Sequence, residues 1–380
     1  MEEVKIIVGG DICPVGRNIS YFSNGDTRNL WNDLLSEFDS AALSVANLEC
    51  PLIRESTPIE KTGPVLGAPS ECIKGFIASQ IGCLGLANNH ILDHGAVGLQ
   101  NTLQACSAAG IRTFGAGSNL EQAGRMLVMK TGGVRIGLLG AAAQEWSIAT
   151  ERSPGANPLD VIDCARTLQR QKNNYDFSIC LLHDGAELYP YPSPRLRKVC
   201  RFLIEQGAGI VVCQHSHCAG AYEAYGGGHI IFGQGNLLHD SPGRPDIWHE
   251  GFLIRLSIAP DLSSTWQPVP YIQSASMPGA RRMSPKRERA FLHDLAQRSL
   301  AIKDEAFVAQ AWVQFCDERR HSITSFLLGH GRLLRRLNRT GWVIKYLHQK
   351  ERLRRIKNGI RCDTHREVLL EVLDASLKEH

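Results

Sequence analysis

From Val4 to Ile258 the chain repeats one pattern: a short apolar run, a polar or glycine-rich break, then an amphipathic stretch of helical period. Continuous apolar runs read as strands covered on both faces, and the stretches between them as helices. The pattern predicts strands over Lys5–Val8, Ala42–Ala46 and Cys83–Ala87, with helices over Leu30–Phe38, Pro69–Gln80 and Ala96–Ala109. Thr131-Gly132-Gly133 between Met126–Lys130 and Val134–Leu139 is a hairpin signal. A second hairpin is signalled by the glycines between Ala221–Tyr225 and His229–Phe232. Helices over Asp160–Asn173 and Pro194–Gln206 alternate with strands over Phe177–Leu182 and Gly209–Cys213, and Phe252–Ile258 adds another strand. Such alternation predicts a layered α/β domain, and the hairpins predict partly antiparallel pairing.

Beyond Pro268 the character changes. The pattern divides the chain into a domain over 1–270, a polar linker over 271–284 and a helical, basic extension over 285–380. Helical periodicity runs over Pro285–Ala301, Glu305–Phe326, Arg332–Ile356 and Thr364–Leu377. Within Leu333–Lys357, Arg335, Arg336, Arg339, Lys345, Lys350, Arg352, Arg354, Arg355 and Lys357 face only Glu351 as counter-charge. Leu333, Leu334, Leu337, Trp342, Val343 and Leu347 form an apolar stripe on the same segment. The stripe predicts a helix packed on the domain with a solvated basic face; an anionic partner, such as lipid headgroups met peripherally, is the competing reading.

The 380-residue chain carries a net charge of only +4, too small to make the whole protein a nucleic-acid binder. Its 12 cysteines are scattered without a C-x-x-C pair, and Cys83, Cys180 and Cys213 fall inside predicted strands. Reduced thiols in a reducing compartment are therefore expected, and a thiolate zinc site is disfavoured. The acidic N-terminus MEEVKIIVGGD lacks the basic and apolar regions of a signal peptide, and no run is long enough to span a bilayer. The expectation is a cytoplasmic protein without a transmembrane segment; the sequence leaves the oligomeric state open.

Candidate chemistry recurs where the apolar runs stop. Asp11 follows VKIIVGG, Asn47 and Glu49 follow ALSVA, and Asn89 and His90 follow CLGLA. His183 follows FSICLL, and His215 and His217 lie in VVCQHSH. Strand ends of an α/β sheet share one rim, so these side chains are expected to meet there. Carboxylate, amide oxygen and imidazole together suit a divalent cation, one ion or two, of Mn, Zn, Fe or Co. Asp11 is the best candidate for a carboxylate bridging two ions, and such a pair can clamp a phosphoryl group.

GGDICPVGR, VANLECPL, GLANNHILDHG, LLHDGAELYPYPSP and QHSHCAGAYEAYGGGHIIFGQGN, taken in order, resemble the blocks of the CapA family. These are bacterial poly-gamma-glutamate capsule synthesis proteins, a branch of the calcineurin-like metallophosphatase superfamily. The resemblance covers residues 4 to 258 and implies a four-layer α/β/β/α sandwich of the metallophosphatase type. It implies Asp11, Glu49, Asn89, His183, His215 and His217 as metal ligands. His90 is implied as an acid or transition-state stabiliser beside the scissile group, with Asp93 orienting its imidazole. Where metallophosphatases at large carry a His two residues after the first Asp, this chain has Cys13, and Gln214 replaces a Gly in the last block. These departures remove one ligand from the first metal. The expected activity is metal-dependent hydrolysis, phosphoesterase-like, of an anionic polymer, glycan or peptide-linked intermediate. The alternatives are a peptide-tailoring epimerase working by α-proton abstraction, and a non-catalytic accessory protein of capsule or polysaccharide synthesis.

Overall fold

The computed structural model describes residues 3–319 and, beyond them, isolated positions between 336 and 373. In chain order, omitting two-residue bridges, the strands are β1 (Val4–Cys13), β2 (Leu43–Leu48), β3 (Cys83–Gly85), β4 (Arg112–Phe114), β5 (Leu127–Thr131), β6 (Val134–Ala142) and β7 (Phe177–His183). They continue with β8 (Ile210–Gln214), β9 (Tyr222–Tyr225), β10 (Gly228–Ile231), β11 (Asn236–His239), β12 (Glu250–Ile258), β13 (Ser264–Gln273) and β14 (Ala280–Arg282). One sheet has the order β14-β13-β12-β1-β2-β3-β4, with β11 also paired to β1. The other has the order β9-β10-β8-β7-β6-β5.

The alternation of side chains along each strand explains the layering. Ile6 and Val8 of β1, Ile136 and Leu138 of β6, Ile179 and Leu181 of β7, and Val212 of β8 fill one core between the two sheets. Ile7 and Ile12 of β1 turn the other way, into a core with Phe22, Trp31, Phe76 and Leu99. Cys180 and Leu182 of β7 and Val211 and Cys213 of β8 pack outward against Leu168, Leu196, Cys200 and Leu203 of the helices Val161–Gln171 and Pro194–Glu205. Three cores separate four layers, helix, sheet, sheet, helix, which is the expected α/β/β/α sandwich. Strands used on both faces need apolar residues at every position, hence the unbroken runs in the sequence.

Both predicted hairpins form, β5 with β6 and β9 with β10, each antiparallel. Other expectations differ. Leu30–Phe38 is not one helix but Thr27–Trp31, a 3-10 turn over Asn32–Leu34 and Leu35–Asp39. The break is at Asn32, whose φ of 48° lies in the left-handed region. Its amide donates to Asn29 O at 3.3 Å and Ala280 O at 3.1 Å. Pro69–Gln80 likewise divides into a 3-10 turn, Ser70–Cys72, and a helix over Ile73–Ala78.

The stretch over 271–284 is no linker: β13 runs on to Gln273, and β14 pairs with it as the sheet edge. The helix Pro285–Ala301, capped by Ser284, places Phe291 and Leu295 in the core between the sheets. One compact unit therefore extends to Gln310, and a second covers Ala311–His380. In the second, Trp312 stacks on Phe315 and Arg319 lies 3.6 Å over the Phe315 ring. Apart from isolated positions such as Arg336 and Arg354, the predicted basic segment and final helix lie outside the described residues. No helix among the described residues is long and apolar enough to cross a membrane.

Candidate metal centre

The C-terminal ends of β1, β2, β7 and β8 meet at one rim. Between Val8 and Asp11 the β1–β2 register shifts, because β1 holds one residue more than β2 there. That bulge, at Gly9 and Gly10, brings Asp11 opposite Asn47 on β2 and Asn236 on β11. Asn47 Nδ2 donates to Asp11 Oδ1 at 2.7 Å, and the His215 N–H donates to Asp11 Oδ2 at 3.1 Å. His215 and His217 both adopt left-handed backbones, with φ of 78° and 52°. Such conformations store strain, which is commonly concentrated at functional sites.

One ligand atom each from Asp11, Glu49 and His183 lie within 4.8 Å of one another, as do atoms from Glu49, His215 and His217. Glu49 is common to both groups, where the sequence pointed to Asp11 as the shared carboxylate. Around His183 Nε2 lie Asn89 Oδ1 at 3.1 Å, His215 Nδ1 at 3.1 Å and Glu49 Oε1 at 3.3 Å. One ring proton satisfies at most one of these contacts, so electron-pair donors converge without enough protons to link them. His217 shows the same mismatch. Trp248 O accepts from Asn236 Nδ2 at 3.3 Å, which turns Asn236 Oδ1 toward His217 Nδ1 at 2.8 Å. The proton then sits on Nδ1, and Nε2 presents its lone pair to Glu49 Oε1 at 3.5 Å. Both Glu49 oxygens are buried and accept no hydrogen bond among the described residues. This donor set fits a divalent cation.

The electrostatics agree. Burial, followed by the Glu49 charge, pushes Asp11 well above the usual carboxylate range, against hydrogen bonds from Asn47 and the His215 N–H. Burial also raises Glu49, but the charge of His217 and contacts from His183 and His239 outweigh it and hold that carboxyl well below its ordinary value. Burial lowers His183 and His217 to about 4 each, so both imidazoles are neutral near pH 7. A Glu49 carboxylate facing neutral imidazoles attracts a cation, and without one its charge favours the protonated form of Asp11.

His90 and Asp93 form a pair beside this group. His90 Nδ1 is 2.7 Å from Asp93 Oδ2, which also accepts from the Leu66 N–H at 2.6 Å. Lys61, its side chain buried, pairs with Asp93 Oδ1. Asn88, fully buried, donates to Leu48 O at 2.7 Å and accepts from the His90 N–H at 3.1 Å, fixing the loop. Asn89 Nδ2 donates to Glu145 Oε2 at 3.1 Å.

The structure thus brings Asp11, Glu49, Asn89, His183, His215 and His217 together, with His90 and Asp93 alongside. Sequence reasoning missed Lys61, Glu145 and Trp248, while His239, outside the resembling blocks, reads from the sequence as a structural or substrate-facing residue. Lys61 and Glu145 lie in polar connecting stretches without a local signal. His239 does follow a short apolar pair, Leu237-Leu238, which repeats in miniature the pattern that marked the other strand ends.

The model of the family described as "Bacterial capsule synthesis protein PGA_cap" matches residues 5–241. The chain is 32% identical over 250 residues to the capsule biosynthesis protein CapA of Bacillus anthracis, a match covering 63% of this chain and 60% of that protein. A probable polyglutamine synthesis accessory protein of Mycobacterium tuberculosis is 28% identical over 249 residues, covering 61% of this chain and 65% of the relative. The matches thus span less than two thirds of either relative's length. Among solved structures, a 5'-nucleotidase precursor from Thermus thermophilus aligns with a TM-score of 0.42 at 14% identity, over 80% of this chain and 60% of that one. The 5'-nucleotidase of Candida albicans aligns with a TM-score of 0.43 at 10% identity, over 84% of this chain and 59% of that one.

Proposed function

The chain belongs to the PGA_cap family of bacterial capsule synthesis proteins, and from that premise we propose that it is a metal-dependent hydrolase, phosphoesterase-like in its chemistry. The observation that carries the reading is the convergence of Asn89, His215 and Glu49 on His183 Nε2 with too few protons to join them. Asp11, Glu49, Asn89, His183, His215 and His217 would hold one or two ions of Mn, Zn, Fe or Co. When bound, such an ion supplies Lewis-acid charge and acidifies water.

The remaining work falls to side chains of the chain itself. Asp93, anchored by Lys61 and the Leu66 N–H, keeps the proton of His90 on Nδ1. Nε2 of His90 is then the nitrogen that takes a proton from, or returns one to, the reacting group. Asn236 performs the corresponding service for His217, holding its tautomer. The substrate class we propose is an anionic polymer, glycan or peptide-linked intermediate, in keeping with the capsule and polyglutamine synthesis of the relatives' names. A cytoplasmic site of action belongs to the same reading, supported by thiols such as Cys83, Cys180 and Cys213 sequestered in apolar cores.

The test combines elemental analysis of the purified protein with phosphomonoesterase and phosphodiesterase screens of the Mn, Zn, Fe and Co forms. Asp11→Ala and His215→Ala should each abolish metal binding and turnover. Undiminished turnover in metal-free Asp11→Ala protein would sink the reading. The name of the mycobacterial relatives favours a second reading, an accessory protein of polymer synthesis. Under it, a His215→Ala/His217→Ala protein would still support polymer synthesis in cells.

A further inference from the structure

We propose that His239 is a metal ligand, through Nδ1, of an ion that it would share with Glu49. The inference rests on the rim being a divalent-metal centre and adds a residue to it. His239 ends β11, whose parallel pairing with β1 sets Asp11 opposite Asn236 and Cys13 opposite His239. This short strand therefore delivers two residues to the rim, Asn236 to steer His217 and His239 to face Glu49.

The His239 ring is held from several sides. Its backbone N–H donates to Gln273 Oε1 at 3.0 Å, and its carbonyl accepts from Trp248 Nε1 at 3.2 Å. The ring packs edge-on to Trp248 at 5.0 Å and to His217 at 5.9 Å. So positioned, with a side chain 10% exposed, it presents Nδ1 to Glu49 Oε2 at 3.7 Å. Neither atom has a hydrogen-bond partner among the described residues. Leaving a buried polar atom unpaired is unfavourable, and here two face each other. The gap is too long for a hydrogen bond. It lies within the span of about 4.2 Å open to two ligand atoms each about 2.1 Å from one ion.

The Glu49 carboxylate is divided accordingly: Oε1 faces His183 and His217, and Oε2 faces His239. With His239 the rim offers imidazoles from four residues, His183, His215, His217 and His239. That nitrogen-rich set favours Mn, Fe, Co or Zn over Mg or Ca.

The test uses Co²⁺ as the probe and the full chain. Calorimetric titration counts the Co²⁺ equivalents, and proton NMR of the loaded protein reports hyperfine-shifted, exchangeable imidazole N–H resonances. Circular dichroism and melting of the metal-free proteins check folding, and His239→Asn serves as a second variant should His239→Gln fail to fold. In the variant one shifted N–H resonance should disappear, and one Co²⁺ step should weaken by more than about a hundredfold. Loss of an outer-shell partner accounts for only about 10–100-fold. A folded variant that keeps every shifted resonance overturns the proposal, even if its affinity drops, because His239 would then act only by positioning Glu49. Wild-type protein that binds no Co²⁺ overturns the metal reading itself, a different failure.

Discussion

Replacing Glu49 by Gln keeps the side chain's size and removes its charge, and the structure sets opposite effects with and without metal. In metal-free protein both carboxylate oxygens are buried and accept no hydrogen bond among the described residues. The Gln amide brings N–H donors to within reach of His183 Nε2 and His217 Nε2, which lie 3.3 and 3.5 Å from Glu49 Oε1. Near pH 7 His183 and His217 are neutral and do not hold the Glu49 charge in place, so satisfying one buried group in this way, worth about 1–2 kcal/mol, should make the metal-free variant the more stable. For the compact unit Met1–Gln310, an unfolding entropy of about 2.1 cal/mol/K per residue converts that gain into a Tm rise of about 2–3 °C. Manganese at a hundred times its Kd should stabilise the wild type by about 2.7 kcal/mol, or about 4 °C. The variant, without the carboxylate common to both ligand groups, should gain nothing at that concentration. Scanning calorimetry in EDTA and in Mn²⁺ should therefore show the order of melting reversed. A lower Tm for Glu49→Gln in EDTA, or equal Mn²⁺ shifts in the two proteins, would refute the reasoning.

Glu37 provides a pH test away from the rim. Arg255 Nε and Nη2 reach its carboxylate at 3.0 and 2.5 Å, with Arg282 and Lys5 alongside. Burial raises Glu37, but the Arg255 contacts and the charges of Lys5 and Arg282 outweigh it, leaving the folded pKa below the ordinary 4.5. Stability from this group is complete above pH 4.5 and is lost as pH falls through the lower folded value. Denaturant melts of Glu37→Gln should show a flatter acid limb and a loss of about 2–3 kcal/mol at pH 7; a parallel limb would contradict the assignment. For Asn236→Ala, isothermal titration should record Mn²⁺ affinity about 10–100-fold weaker, since His217 loses the acceptor that fixes its tautomer; unchanged affinity would remove Asn236 from the account. For Asp93→Asn, steady-state assays should record kcat lower by about 10²-fold or more with metal affinity unaltered, and a kcat close to wild type would mean that His90 needs no carboxylate partner.

The strand ends were legible because strands covered on both faces leave almost no polar residue along their length, so Asp11, His183 and His215 mark the places where the apolar runs stop. Asn89 and His90 were legible for the same reason. What remained hidden depended on contacts distant in sequence. Glu49 becomes common to both ligand groups only when β2 lies between β1 and β3, a matter of register. His239 reaches Glu49 because β11 pairs with β1, and nothing near position 239 announces that partner. Lys61 sits among polar and proline-rich residues that look like any solvated loop, yet its side chain is buried on Asp93. The end of β13 and the edge strand β14 were mistaken for a linker because Pro270 and Pro278, with polar neighbours, erase the apolar run on which the other strands were recognised.

The first strand changes partner midway. Val4 to Val8 pair with β12, and from Asp11 onward the same edge pairs with β11. Across the gap, Gln234 Nε2 donates to Val8 O at 2.9 Å and to Phe252 O at 3.2 Å, while Gln214 Nε2 donates to Gly9 O at 3.1 Å. Side-chain amides splice the ladder where no strand continues it. Substitution in 236–239 therefore changes what faces Glu49 and His217, while Val4 to Val8 keep their own hydrogen bonds to β12.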